Sequence, residues 1–282
     1  MENIRIYCEN EGKYMYVQPG SDLRELAAQV GPEGTLAALV DNQLKELDYK
    51  LLSTHTVRFV GYDHPDGRRT YIRSLCFVLQ NVVREFFPDK ILVIDYSLPS
   101  GLYCEIRERE ELQDGRPRIY PVSDDEIESI LLRMREIVEA DLPFKKVKMM
   151  PQEATALFKA NGQQEKINLL HSTGRLLCSV YFLDGQADTF YGPLVTSTGC
   201  LKTFDLMGFG DGFCLQYPMD GCSGRLTPMM EQDKLAGALK EHSDWCAIMR
   251  VKGVGSLNNA VKEGKIIDLI NLSEALHERK YA

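Results

Sequence analysis

Histidine and cysteine are the residue types of this chain that could bind a metal or move a proton near neutral pH. None of the five histidines belongs to an H-x-x-x-H or H-E-x-x-H pair, and no two of the eight cysteines form a C-x-x-C pair. His171 and Cys178 are a candidate Cys/His pair, but Cys178 lies in the apolar run 176–182, where a thiolate is unfavourable. We therefore predict no metal site and no catalytic residue, and we expect the cysteines to be reduced and buried.

Two short segments carry the most distinctive pattern of the chain. The first is 73–79 (RSLCFVL) and the second is 188–194 (DTFYGPL). Ser74 and Val78 are four residues apart, so on a helix they lie on one face, one turn apart. The Gly-Pro pair of the second segment predicts a turn.

These segments resemble the two halves of the editing pocket of threonyl-tRNA synthetases. In that family the first half carries H-x-x-x-H on a helix, and the second carries C-x-x-x-H in a D-x-C-x-G-P-H setting. The resemblance assigns the four positions to Ser74, Val78, Phe190 and Leu194. Because Val, Phe and Leu side chains can neither bind a metal nor transfer a proton, it implies a degenerate editing pocket.

Five polar residues near the two segments are candidates for binding a small-molecule ligand. Arg73 and Lys202 would hold an anionic or carbonyl-bearing group, and Ser74 would donate a hydrogen bond. Asp188 and Tyr191 flank the Gly-Pro turn, where they would either contact the ligand or only shape the turn. The alternative is that these residues support the fold while the apolar side chains fill the pocket.

Residues 1–62 predict a small domain of their own. Periodicity and turn residues place a strand pair, a helix and two further strands at 4–8, 13–17, 21–30, 36–40 and 56–60. This order is typical of a β-grasp domain. Segment 39–47 also resembles the TGS module at the head of threonyl-tRNA synthetases and of some GTPases.

Residues 63–222 predict a larger α+β domain. Its expected elements are a helix with Thr70 as N-cap, strands at 91–96 and 102–106, a helix opened by a Ser123 capping box, a strand at 145–149 and a helix begun by Pro151. The glycine-rich stretch 208–212 indicates a hairpin turn. This succession resembles the threonyl/alanyl-tRNA synthetase editing domain, also called the second additional domain.

Residues 223–282 predict a C-terminal helical segment, in which one helix ends at Gly264 and Ser273 caps the last helix. That last helix has no C-cap, so we expect a further domain to follow. The runs 254–258 and 273–278, together with both preceding domains, resemble the N-terminal region of bacterial uridine kinase-like proteins. In that family a phosphoribulokinase/uridine kinase domain comes next.

This resemblance implies a noncatalytic regulatory or substrate-recognition region of a nucleoside kinase. The sequence contains no G-x-x-x-x-G-K-[ST] phosphate loop, so we expect ATP and Mg²⁺ to bind only a following P-loop kinase domain, the partner in cis. The full-length protein would then be an ATP-dependent transferase. Two alternatives stay open: a free-standing aminoacyl-tRNA editing hydrolase, and an RNA-binding module that acts through the TGS-like head.

The amino-acid composition bears on whether nucleic acid or a membrane is a partner of this chain. With 44% hydrophobic residues in 282, the chain can bury substantial cores. Its net charge of −8 disfavours nonspecific binding to nucleic acid, although a local basic patch could still form. The sequence has no run of eighteen apolar residues and no signal-peptide pattern at Met1. We therefore expect a cytoplasmic protein without a membrane partner.

Overall fold

The computed structural model describes residues 3–112, 116–219, 224–229, 233–251 and 253–281. Within these residues the chain forms three sheets, and helices pack against them. The α+β fold class expected from the sequence is confirmed.

The N-terminal part is a mixed sheet of five strands with one helix packed across it. Its elements are β1 Ile4–Cys8, β2 Lys13–Val17, α1 Leu23–Val30, β3 Ala37–Val40, β4 Gln43–Lys45 and β5 His55–Val60. The strand order is β2-β1-β5-β3-β4, and β1 and β5 run parallel. This is the predicted β-grasp arrangement with one additional strand, β4.

The N-terminal sheet has its own apolar core. Leu23 and Leu26 of α1 pack on Ile6, Val57 and Phe59 of the sheet. Burial of these side chains fixes the helix against one face, because each apolar side chain removed from water contributes about 1.5–3 kcal/mol.

The rest of the described chain contains two further sheets. Its strands are β6 Lys90–Leu98, β7 Gly101–Glu111, β8 Pro117–Tyr120, β9 Lys145–Met149, β10 Cys178–Leu183, β11 Gln186–Asp188, β12 Asp205–Phe209 and β13 Gly212–Gln216. Its helices are α2 Pro65–Phe86, α3 Asp124–Glu139, α4 Pro151–Ala160, α5 Gln164–Thr173, α6 Asp233–Ile248, α7 Val254–Lys262 and α8 Ile266–Tyr281. The larger sheet has the order β12-β13-β7-β6 with β8 paired to β7, and the smaller has the order β11-β10-β9.

Helix α2 lies at the centre of this part and begins earlier than the sequence predicts. His64 is its N-cap, and the His64 Nδ1 atom accepts the Asp66 N–H at 3.2 Å. Pro65 then supplies the fixed φ that suits a first helical residue. The prediction of Thr70 as N-cap is wrong, because Thr70 is buried inside α2 and its hydroxyl donates to the Asp66 carbonyl oxygen at 2.8 Å.

Other predicted elements of this part are confirmed. Ser123 and Glu126 form the capping box of α3, and each side chain accepts a hydrogen bond from the other's backbone N–H. The stretch 208–212 is the hairpin between β12 and β13, with Gly210 at φ +58°. The prediction that Pro151 begins a helix is also correct.

Helix α7 contacts the rest of the chain through α5. The Ser256 N–H on α7 donates to Glu165 Oε2 at 3.1 Å, and Asn258 Nδ2 donates to Ser172 Oγ at 2.9 Å. The prediction of Ser273 as an N-cap is wrong, since α8 already begins at Ile266 and Ser273 lies inside it. The division of the chain at residues 62 and 222 stays a prediction, and residue 222 lies outside the described residues.

Two further sequence expectations concern cysteines and membranes. The seven described cysteines are free thiols, four of them buried, and Cys222 lies outside the described residues. Among the described helices none combines the length and the hydropathy that crossing a bilayer requires.

Candidate functional site

The two distinctive segments meet where α2 packs against the loop 189–195. The Ser74 hydroxyl donates to the Thr70 carbonyl oxygen at 2.8 Å and accepts the Val195 N–H at 2.9 Å. Ser74 has no exposed surface. The hydroxyl therefore donates to one main-chain group, on the helix, and accepts from another, on the loop.

The other three positions carry apolar side chains: Val78 and Leu194 belong to the buried core, and the partly buried Phe190 packs against it. Val78 and Leu194 are 0% and 1% exposed. The Phe190 ring packs against the rings of Phe77 and Tyr181, at centroid distances of 5.3 Å and 6.1 Å. The structure thus brings all four positions to the junction of helix and loop, as the resemblance implies, and apolar side chains occupy it.

Arg73 contacts the loop rather than an open pocket. Its Nε donates to the Pro193 carbonyl oxygen at 3.1 Å, and its Nη2 donates to Thr70 Oγ1 at 3.1 Å. Gly192 has φ +129°, and a Cβ there would lie 2.9 Å from Arg73 Cζ. Glycine is required at this position, because it both tolerates the positive φ and lets the guanidinium pass close to the backbone. Burial lowers the pKa of Arg73 from its usual value.

Asp188 is the buried charge of the site. Its carboxylate has no exposed surface and accepts hydrogen bonds from Arg84 Nη2 at 3.0 Å, from Gln163 Nε2 at 3.1 Å and from Lys166 Nζ. It also accepts the neighbouring Thr189 N–H at 2.6 Å. Buried carboxylates need such partners to remain charged.

The Asp188 contacts tie together three elements. Arg84 comes from α2, Lys166 comes from α5, and Asp188 itself ends β11. Burial lowers the pKa of Lys166, and the Asp188 carboxylate opposes that shift. Asp188 is therefore placed to hold the loop that follows it in position.

Tyr191 lies at the surface, 62% exposed, on the rim of a cleft of about 710 Å³. We call this the interdomain cleft, after the two domains that the sequence predicts. It is lined by residues 44–46 and 48–50 of the N-terminal part, by β9 and β10, by α5 and the residues after it, and by the loop 189–193. Glu46 joins its two sides, because its Oε1 accepts hydrogen bonds from Tyr181 and, at 2.9 Å, from Lys146 Nζ.

Lys202 lies apart from the interdomain cleft. It lines a separate depression of about 210 Å³ together with Leu36, Tyr62 and Tyr71. Of the five residues that the sequence suggests for ligand binding, the structure brings Arg73, Ser74, Asp188 and Tyr191 to the loop and does not bring Lys202 to the cleft.

The candidate Cys/His pair is not formed. The Cys178 thiol donates to the Met149 carbonyl oxygen at 3.5 Å, and burial raises the pKa of Cys178. The His171 ring instead contacts Thr155 Oγ1 at 3.4 Å. In the described parts of the chain, no three His, Cys, Asp or Glu side chains are grouped so that they could hold a metal ion.

The sequence interpretation missed the cations of the interdomain cleft. Lys146 and Lys148 alternate along β9, and the register places them opposite Tyr181 and Ser179 of β10. Side chains at alternate positions share one face of a sheet. That alternation was visible in the sequence, whereas Arg175 reaches the same cleft from after α5 and only the fold could reveal it.

Comparison with known proteins identifies related chains. No protein-family model matches the sequence. The chain is 26% identical over 207 residues to a threonine–tRNA ligase of Symbiobacterium thermophilum. The aligned stretch covers 72% of this chain and 30% of that protein. It is 24% identical over 209 residues to a threonine–tRNA ligase of Francisella tularensis subsp. tularensis. Here the aligned stretch covers 73% of this chain and 31% of that protein.

The chain thus spans about a third of the length of the curated relatives that it matches. The similarity supports a module related to threonyl-tRNA synthetases and agrees with the α+β fold of the second domain. It carries no information on a uridine kinase-like domain.

Substituting Asp188 tests the buried charge network. We expect Asp188→Asn to lower the free energy of unfolding by about 3 kcal/mol or more, because Arg84 and Lys166 lose their buried counter-charge. Asp211→Asn is the matched control, since Asp211 also pairs with a lysine, Lys240, but is 53% exposed. That control should stay within about 0.5 kcal/mol of the parent. Chemical denaturation measures both, and equal losses would contradict a network that depends on burial.

Proposed function

We propose that this chain is a noncatalytic recognition region related to the editing region of threonyl-tRNA synthetases, and that it precedes a nucleoside kinase domain of the uridine kinase type. One observation carries the noncatalytic part. At the junction of α2 and the loop, the four editing positions hold the buried Val78 and Leu194, the partly buried Phe190, and a serine whose hydroxyl is bound to two main-chain groups.

Ester hydrolysis needs a base, a nucleophile or a metal-bound water within reach of the substrate. Ser74 has no side-chain base as a hydrogen-bond partner, since its partners are Thr70 O and Val195 N. The thiol of Cys76, two residues along α2, has its pKa raised to about 12 by burial. It is therefore protonated at neutral pH and is a poor nucleophile. These features argue against hydrolysis at the editing positions.

A deacylation assay tests the noncatalytic part. The chain is incubated with mischarged tRNA, and we expect the ester to be lost at the spontaneous rate of the buffer, because none of the four editing positions carries a base or a metal ligand that could activate water. The active editing domain of a threonyl-tRNA synthetase serves as the positive control. Turnover above the spontaneous rate that disappears in Ser74→Ala, while circular dichroism shows the variant folded, would refute the proposal in favour of an editing hydrolase.

The kinase context is the second part of the proposal. It rests on the resemblance of the runs 254–258 and 273–278, and of the whole domain order, to uridine kinase-like proteins. The sequence itself has no phosphate loop. ATP, Mg²⁺ and phosphoryl transfer would therefore belong to the following domain, and this region would regulate it or recognise its substrate.

The gene and its full-length product test the kinase context. We expect the coding sequence beyond residue 282 to encode G-x-x-x-x-G-K-[ST], because only such a loop cradles the phosphates of ATP in this kinase class. The full-length protein should then transfer phosphate from ATP to uridine, measured with labelled nucleoside, and a Lys→Ala change in that loop should abolish the transfer. A coding sequence without this motif would contradict the kinase context.

A further inference from the structure

The interdomain cleft concentrates positive charge in an acidic protein. Its lining contains six cations and two acids: Lys45, Lys50, Lys146, Lys148, Lys166 and Arg175, against Glu46 and Asp48. The whole chain has the opposite balance, with 33 Lys and Arg against 41 Asp and Glu. A cleft lined by one sign of charge attracts ligands of the other sign.

The six cations differ in how far they are neutralised. Lys50 pairs with Asp22, Lys146 pairs with Glu46 and Lys166 pairs with Asp188. Within the described residues, neither Lys148 nor Arg175 has a carboxylate partner, and both are exposed. These two side chains are the ones most available to an anion.

Aromatic rings accompany four of the cations. Lys45 lies over Tyr49 at 5.3 Å, Lys146 over Tyr181 at 5.4 Å, Lys166 over Phe190 at 5.6 Å and Arg175 over Tyr191 at 5.7 Å, each measured to the ring centroid. Tyr191 is exposed at the rim and can offer a ring face to a planar group. A base stacked on such a ring gains binding free energy with little regard to its identity.

We propose that the interdomain cleft binds a free nucleoside phosphate, with the phosphates on Lys148 and Arg175 and the base against Tyr191. Cations and an exposed ring at one cleft recognise both parts of such a ligand. The volume of about 710 Å³ falls in the range of small-molecule sites. The net charge of −8 disfavours the long phosphate backbone of a polynucleotide.

This inference deepens the proposed function, since it names the ligand class that the recognition region would take, and it rests on that proposal. The ligand would not occupy the positions of Ser74, Val78 and Leu194, which are buried, and of the four editing positions it would meet only Phe190, on the wall of the cleft. The site would be built from both predicted domains. Binding of a nucleotide would therefore depend on the position of residues 44–50 relative to strands β9 and β10.

Isothermal titration of the chain with UMP, UTP, AMP and ATP tests the inference. We expect the triphosphates to bind more tightly than the monophosphates, because they present more charge to the same cations. Uridine and inorganic pyrophosphate should each bind at least about 10-fold more weakly than UTP, since each lacks one of the two recognised parts.

Three cleft variants and two control variants locate the site. Lys148→Gln and Arg175→Gln should each weaken UTP binding about 10-fold, and Tyr191→Ala should weaken it by a similar factor through the lost stacking. Tyr16→Ala is the matched control for the ring, because Tyr16 is 67% exposed and lies outside the cleft. Lys159→Gln is the matched control for the cations, because Lys159 on α4 is exposed and lies outside the cleft. The affinity of this variant for UTP should equal that of the parent.

Three results would overturn the inference: no binding of any nucleotide by the folded chain, pyrophosphate binding as tightly as UTP, or affinities unchanged in the cleft variants. Binding of a CCA-ended RNA hairpin that millimolar nucleotides fail to displace would also overturn it, in favour of an RNA end. Failure of this inference is separable from failure of the proposed function. If the chain binds nucleotides and also hydrolyses the ester, only the proposed function is refuted. If the chain shows neither nucleotide binding nor ester turnover, only the nucleotide-binding inference is refuted.

Discussion

The contact between helix α2 and the loop 189–195 is the constraint on which the rest of the second domain depends. Two segments more than a hundred residues apart in the chain are joined there by the hydrogen bond from Val195 N–H to Ser74 Oγ and by that from Arg73 to the Pro193 carbonyl oxygen. Around these bonds Val78, Leu194 and Phe190 extend the apolar core. A buried main-chain N–H without a partner is unfavourable by about 1–3 kcal/mol, so the serine hydroxyl is a structural requirement of this packing.

At this contact lie Ser74, Val78, Phe190 and Leu194, the four positions that the resemblance assigns to an editing pocket. Positions that would carry imidazole or thiolate in an editing pocket carry groups that stabilise the junction, and Asp188 holds the start of the loop through Arg84 and Lys166. The interdomain cleft opens beside the junction. Glu46 connects the two sides of that cleft through Lys146 and Tyr181, so the N-terminal domain contributes to it directly.

Elements that depend on local sequence signals could be predicted, whereas those that depend on tertiary contacts could not. The capping box at Ser123 and the hairpin at 208–212 follow from short-range hydrogen bonding and turn geometry, which the sequence displays. The start of α2 differs from the prediction because its N-cap is His64, a residue type that is uncommon at this position. Threonine is a preferred N-cap residue, so the sequence favoured Thr70 instead. The grouping of Ser74, Val78, Phe190 and Leu194 could be predicted by resemblance. The cations of the cleft come from separate segments, so their convergence required the fold.

Amide hydrogen exchange at Val195 measures the central claim most directly, because that N–H is bonded to Ser74 and is buried only if the junction is closed. We predict protection equal to that of the Leu79 amide in the middle of α2, and a large loss of protection at Val195 in Ser74→Ala. Exchange at Val195 in the unmodified chain as fast as at the amide of Tyr191, a residue that is 62% exposed, would show that the helix and the loop separate readily. Such a result would contradict a filled, closed pocket.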